Sequence, residues 1–386
     1  MRSMNSLTTR RNAGLDTLRA LAIVLVFMNH YMIFVSNTPT FGWMSEIGWT
    51  GVDLFFALSG YLIGNQILGA IRRQQNGPER FSLGRFYARR LLRTLPNFYV
   101  VLALYALWPY WRGDSVLPPL WKFLTFTQNI LLTPGTAFSH AWSLCVEEQF
   151  YLLLPAAALL IAACRKSLAW AWVAVIGALL AGMTVRYYIW TVHVGPGEEG
   201  YYYYKLIYYA SWCRFDELVC GVALALVKNY HAGVWARVTA FGNWTLGAGA
   251  ALLALTWTLL LEDHYGLMMT VIGYPLLGLS FSLLLIAALS PGSLLQRVRV
   301  PGAAGIALWS YAIYLTHKQL CILLRAPLQL QGWGPDSWQA IGIMSVASIA
   351  MGWLLYLLVE TPFMKLRDRY VPSNFAKPAA PVALVA

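Results

Sequence analysis

The chain has 386 residues, 59% of them apolar and only 11% charged, and its mean hydropathy is +0.56. A soluble domain carries about 25% charged and 45–50% apolar residues, so this composition excludes an ordinary globular protein and points to an integral membrane one. The net charge of +12 would suggest nucleic acid in a soluble protein, but no nucleic-acid partner is expected here, because the bases fall between apolar runs, where they orient membrane helices.

Apolar stretches of spanning length occupy roughly 15–35, 51–70, 94–111, 142–163, 168–190, 206–227, 241–261, 267–289, 303–326 and 339–360. The expected fold is all-α and polytopic, with about ten transmembrane helices. Residues 1–13 read as a short cytoplasmic segment and 14–363 as one membrane domain. Residues 364–386 read as a cytoplasmic tail, disordered from about 372, where Pro and Ala dominate. The first run is too long and too polar-flanked for a cleaved signal peptide and reads as a retained helix.

Loop charges test that count. Arg2, Arg10 and Arg11 precede the first run, and the loop after it has no base. Arg72, Arg73, Arg80, Arg85, Arg89, Arg90 and Arg93 follow the second. Basic and base-poor loops then alternate to the end, where Lys365, Arg367, Arg369 and Lys377 lie. Ten helices with both termini cytoplasmic satisfy this pattern. The Pro- and Trp-rich segment 112–141 is expected to fold back over the bundle. Five cysteines lie in or beside apolar runs without a CxxC pair, so they read as packing residues, and no metal site is expected. No internal repeat is seen, which weakens a transporter reading.

Charged groups inside such runs are costly and mark function or tight pairing. In LDTLRALAIVLVFMNHY, Arg19 and His30 are separated by about 16 Å of helix rise and lie about 20° off one face. With the first helix running outward and the second inward, His30 and Asp53 share a depth. A His30–Asp53 hydrogen bond would leave the other ring nitrogen as a base; a pair that merely locks two helices is the plainer alternative. Arg89, Arg90 and Arg93 form a basic helix face at the mouth of the third run. Positive-inside topology explains part of it, and a phosphate-bearing ligand would suit the rest.

The fourth run begins SHAWSLCVEEQFYLLLP. Glu147 and Glu148 point about 100° apart on a helix, so one is expected to face a cavity and the other to pair with an Arg or an outer loop. His140 reads equally well as an interfacial residue. Arg214 and Glu217 stand i,i+3 and are expected to neutralise each other in part. His317 and Lys318 lie deep in the ninth run. Glu360 ends the tenth, with Pro362 expected to stop the helix.

Taken together, LDTLRALAIVLVFMNH, GVDLFFALSGYLI, FYARRLLRTLP, WSLCVEEQFYLLLP, RFDELVCG, SYAIYLTH and VETPF resemble the membrane acyltransferase-3 family, over about 14–363. The family comprises bacterial integral-membrane O-acyltransferases of surface glycans and related acceptors. The resemblance implies an acyl group, most often acetyl, taken from cytoplasmic acyl-CoA as donor substrate, with no permanently bound cofactor. It implies a plasma-membrane enzyme whose partners are acyl-CoA, the bilayer and a hydroxyl on a glycan or lipid-linked sugar. By resemblance His30 is the catalytic histidine and Asp53 its partner. Glu147 or Glu148 matches the family's acidic motif, and Arg19, Arg90 and Arg93 match its donor-handling arginines. Many members carry a C-terminal esterase-like domain; this sequence is read as having none, which leaves acceptor specificity unassigned. Direct attack by the acceptor and an acyl-histidine intermediate are both admitted. An anion carrier would also want these groups, but without any use of acyl-CoA, and a non-catalytic partner protein would need none of them for activity.

Overall fold

The structure, a computed structural model, describes residues 12–374 except 78–79, 165–166, 196–199 and 261–262. The expected N-terminal segment, save residues 12 and 13, and the tail from 375 onward lie outside the described residues, as do Arg165, Lys166, Glu198 and Glu199. Every regular element described is helical. The long helices are α1 (Ala13–Tyr31), α2 (Thr50–Asn76), α3 (Leu83–Leu107), α4 (Trp142–Ala163) and α5 (Leu168–Ile189), then α6 (Asp216–Tyr230), α7 (Asn243–Leu260), α8 (Tyr274–Leu289), α9 (Ala303–Leu330) and α10 (Trp338–Leu355). Each apolar stretch of the sequence carries one of them.

Among the described residues, six helical stretches are long and apolar enough to cross a membrane: Ala13–Ser36, Thr50–Gln75, Ser139–Ala163, Leu168–Val194, Met269–Leu289 and Trp338–Tyr370. A seventh arises if α6 and the helix Ala232–Ala240, bent by 112°, count as one span. The chain is therefore an all-α polytopic membrane protein with six or seven candidate spans. Two further helices are diluted by polar residues, Arg85 to Arg93 on α3 and His317, Lys318 and Arg325 on α9. The apolar outside is clearest on α5, where only Gly182 and Arg186 are buried along 22 residues. A helix apolar all round and packed on so little is suited to lipid.

α1 starts where Asn12 caps it, its side chain accepting from the Leu15 amide at 2.9 Å. It packs against α2 and α9. α2 lies along α6, and the two run parallel: Asp53 meets Arg214, Gly60 meets Leu218, and Asn65 meets Asn229. A Cβ on Gly60 would stand 2.0 Å from the Leu218 carbonyl oxygen, and one on Gly221 would stand 2.4 Å from that of Ala57. Only glycine permits this backbone approach, the small-residue packing usual between membrane helices.

Segment 112–141 packs into the bundle. Phe123 and Phe138 are fully buried, and Phe138 stacks on Tyr105 at 4.8 Å. The expected sixth span is not one helix. A π turn at Tyr204–Tyr208 and a 3-10 turn at Ser211–Cys213 precede α6, so the chain is irregular around Tyr209–Phe215. The chain also stays helical through Pro362. A π turn at Tyr356–Glu360 leads into the helix Thr361–Tyr370, and this widened turn is where Pro362, which has no N–H to donate, is taken up.

Candidate active site

α1 carries Arg19 and His30 toward two different cavities. The smaller, of about 180 Å³, is lined by Arg19, Arg90, Arg93, Glu147, Glu148 and Tyr151, among others. The larger, of about 1220 Å³, is lined by His30, His140, Asn29 and Glu46 within a wall rich in Trp and Tyr.

The small cavity gathers its charges from three helices. Arg90 of α3 lies flat on Tyr151 of α4, 3.4 Å from the ring centre, with its Nε 3.8 Å from Glu148. Glu147 accepts from the Ser59 hydroxyl of α2 at 2.8 Å. Both glutamates line this cavity, and Glu148 stands beside an arginine, one of the two partners the sequence allowed for the second glutamate. Arg19 is 3.9 Å from Asp16, one turn earlier on α1. Three guanidiniums converging from α1 and α3, opposite two carboxylates, form a cavity suited to a polyanion with hydrogen-bond donors of its own.

In the large cavity, His30 Nδ1 lies 2.9 Å from His317 Nε2, and the two rings are nearly coplanar, with 7° between their planes and centres 5.0 Å apart. His140 stands edge-on to His30 at 6.0 Å and makes a 3.3 Å hydrogen bond through Nε2 to the Leu315 carbonyl. α1 continues past His30 into a π turn at Met32–Ser36, a widening often found at functional positions. Among the described residues, no group of three or more His, Cys, Asp and Glu side chains is placed to hold a metal ion.

Tyr314 of α9 stands between the two cavities. Its hydroxyl donates to the His140 carbonyl oxygen at 2.5 Å and lies 2.7 Å from Ser143 Oγ. Its ring borders the small cavity and sits 6.4 Å from the ring of His30.

The expected His30–Asp53 bond is not formed. Asp53 pairs instead with Arg214, both fully buried, and its second oxygen has no hydrogen-bond partner. The causes are level and rotation: the chain meets α1 at Leu25 through Gly48, just before α2, and at Ala22 through Gly51, so Asp53 stands well short of His30 along the α1 axis. Gly51 turns toward α1, with its Cβ position 2.4 Å from the Ala22 carbonyl oxygen. Asp53, two residues on, points about 200° away from that contact, toward α6. Arg214 thus pairs with Asp53 rather than Glu217, whose two carboxylate oxygens make no hydrogen bond. Arg186 of α5 forms the neighbouring pair, bidentate to Asp216 at 2.5 and 2.9 Å.

An acyltransferase-domain family, the acyltransferase-3 group, matches residues 12–357. The chain belongs to this acyltransferase family. It is 27% identical over 372 residues to the peptidoglycan O-acetyltransferase OatA of Listeria monocytogenes, covering 91% of this chain and 56% of that protein. It is 28% identical over 370 residues to the putative peptidoglycan O-acetyltransferase YrhL of Bacillus subtilis, covering 90% and 54%. The O-acetyltransferase OatA of Staphylococcus aureus is 23% identical over 375 residues, covering 91% and 57%. The chain thus spans a little over half the length of the curated relatives it matches. No solved structure matches it.

Within this acyltransferase domain, the residues singled out in the sequence divide. Arg19, Arg90, Arg93, Glu147 and Glu148 come together, His30 stands beyond Tyr314, and Asp53 belongs to a separate ion pair. Sequence reasoning passed over Tyr314, Ser143 and the pairing of His317 with His30. A signal existed: Tyr314 and His317, like His140 and Ser143, stand at i,i+3 and share a face.

Proposed function

We propose that the chain is a plasma-membrane O-acyltransferase. It would move an acyl group, acetyl foremost, from acyl-CoA to a hydroxyl of a surface glycan or lipid-linked sugar. The observation that carries this reading is the placement of three arginines and one histidine on either side of Tyr314. The donor's phosphates would sit in the small cavity against Arg19, Arg90 and Arg93, with Glu147 and Glu148 holding those guanidiniums in place. Its pantetheine arm would pass Tyr314 toward His30. An aromatic-walled cavity with few polar groups suits a sugar face, so the acceptor would enter the larger one.

In the reaction, His30 Nε2 takes the proton of the acceptor hydroxyl as its oxygen attacks the thioester carbonyl carbon. The C–S bond breaks, and the leaving thiolate takes the proton from the imidazolium. Asp53 we assign to holding Arg214. The topology in this reading has ten spans with both termini in the cytoplasm, and residues 14–363 form the acyltransferase domain between two cytoplasmic flanks. Loop-charge alternation supports it, as does the presence of a helix on each apolar stretch. The small cavity then opens toward the cytoplasmic donor.

Incubating the purified protein with radiolabelled acetyl-CoA and envelope fractions tests the proposal. Label in glycan or lipid is the expected result, lost in His30→Ala. Label accumulating free inside vesicles would identify a carrier, and no use of acetyl-CoA would overturn the reading.

A further inference from the structure

We infer that His317 is a positioning residue that sets the tautomer and direction of His30, the part the sequence assigned to Asp53. The inference rests on His30 acting as the base. The proton positions follow from the hydrogen bonds. His317 Nδ1 lies 2.8 Å from the Ile313 carbonyl oxygen, one turn earlier on α9. A carbonyl has no hydrogen to give, so Nδ1 carries the proton, and a neutral ring is left with a bare Nε2.

Charging that ring would place a second cation beside Lys318. The Lys318 ammonium is itself buried, 4.1 Å from the centre of the Phe34 ring and 3.3 Å from Ser139 Oγ, and makes no ion pair among the described residues. Two cations side by side in such a place are strongly disfavoured. The bare Nε2 of His317 faces His30 Nδ1 at 2.9 Å, so the shared hydrogen belongs to His30. His30 Nε2 is then bare in turn, on a ring that lines the large cavity.

The surroundings support this order. His140, the other imidazole nearby, gives its Nε2 hydrogen to the Leu315 carbonyl and does not compete for His30. Phe34 holds the opposite side of the His30 ring edge-on at 5.4 Å. The chain from the Ile313 carbonyl through His317 to His30 therefore ends in one lone pair facing the space where an acceptor hydroxyl would lie. It uses a neutral acceptor, His317 Nε2, rather than a carboxylate.

The test compares two side chains at 317. Glutamine carries an acceptor oxygen about as far out as imidazole Nε2, whereas leucine fills similar space with none. Turnover of acetyl-CoA in membrane vesicles is measured with thermal unfolding in detergent. His317→Leu is expected to lower kcat about 100-fold with KM for acetyl-CoA unchanged, and His317→Gln to return to within about tenfold of the parent. Equal activity of His317→Leu and the parent, with His30→Ala inactive, overturns this inference alone. Activity in His30→Ala overturns the proposed function itself. Should His317→Leu not fold, His317→Asn replaces it, because its shorter amide reaches only as far as Nδ1. Asn and Gln of equal activity then overturn the inference, and Gln well above Asn supports it.

Discussion

Two polar regions lie within the bundle, and they are built on opposite rules. Around α6, Arg186 and Arg214 are fully buried and matched to Asp216 and Asp53. Around α1, three arginines and His30 border open volume, and Arg90 stands 3.8 Å from Glu148. A buried ion pair with good geometry holds helices in register. Breaking one is strongly destabilising, because it strands a charge in oil. Charged groups that border a cavity keep capacity for a ligand. The same residue types thus serve structure in one place and chemistry in the other, and what separates them is whether space remains next to them.

The sharpest way to break this contrast is to exchange the two outcomes. Asp53→Ala should cost about 3–5 kcal/mol of stability by leaving Arg214 unpaired. The thermal midpoint in detergent reads it, and activity should fall only with the folded fraction. A fully stable Asp53→Ala that is inactive would move Asp53 back to the base. His30→Ala should do the reverse, losing transfer by about 1,000-fold with little change in the midpoint. Arg93→Ala comes next, with acyl-CoA binding weaker by about 1.5–3 kcal/mol. Calorimetric titration of acetyl-CoA reads it, and an unchanged affinity would remove Arg93 from the donor site. Tyr314→Phe removes a hydroxyl that bonds to His140 O and Ser143 and should cost about 1 kcal/mol of stability.

The smallest effect is expected at Glu217. Two guanidiniums face three carboxylates around α6, and Glu217 is the one without a hydrogen bond. Glu217→Gln keeps the shape and removes the third carboxyl group, so the midpoint should stay level or rise. A large fall would show that Glu217 carries a partner of its own.

What the sequence made legible follows from what periodicity encodes. Apolar runs located the helices, and loop arginines gave each polar group an expected depth. The alignment of Arg19 and His30 along α1 came from helix geometry alone. Depth does not fix rotation, however. His30 and Asp53 were matched by an expected level, but α2 meets α1 at Ala22 through Gly51, well short of His30, and Asp53 looks the other way. The His30–His317 contact joins positions 287 residues apart, which no local pattern announces. The break before α6 was hidden too, because the run through Ser211–Cys213 is as apolar as a continuous span.

That break has a consequence for how the large cavity can exist. A helix that stops inside lipid leaves carbonyls with no amide to satisfy them. Here the gap is closed from the side. Arg214 donates to the Tyr208 carbonyl at 3.2 Å, and Arg186 donates to Cys213 at 2.8 Å and to Thr270 at 2.7 Å, the latter in the π turn that leads into α8. The two guanidinium planes act as splints, standing in for backbone amides that the irregular segments lack. Lysine has neither the reach in two directions nor the fixed fork to replace them. By letting the chain depart from helix before α6, these splints free Tyr208 and Tyr209 to line the large cavity.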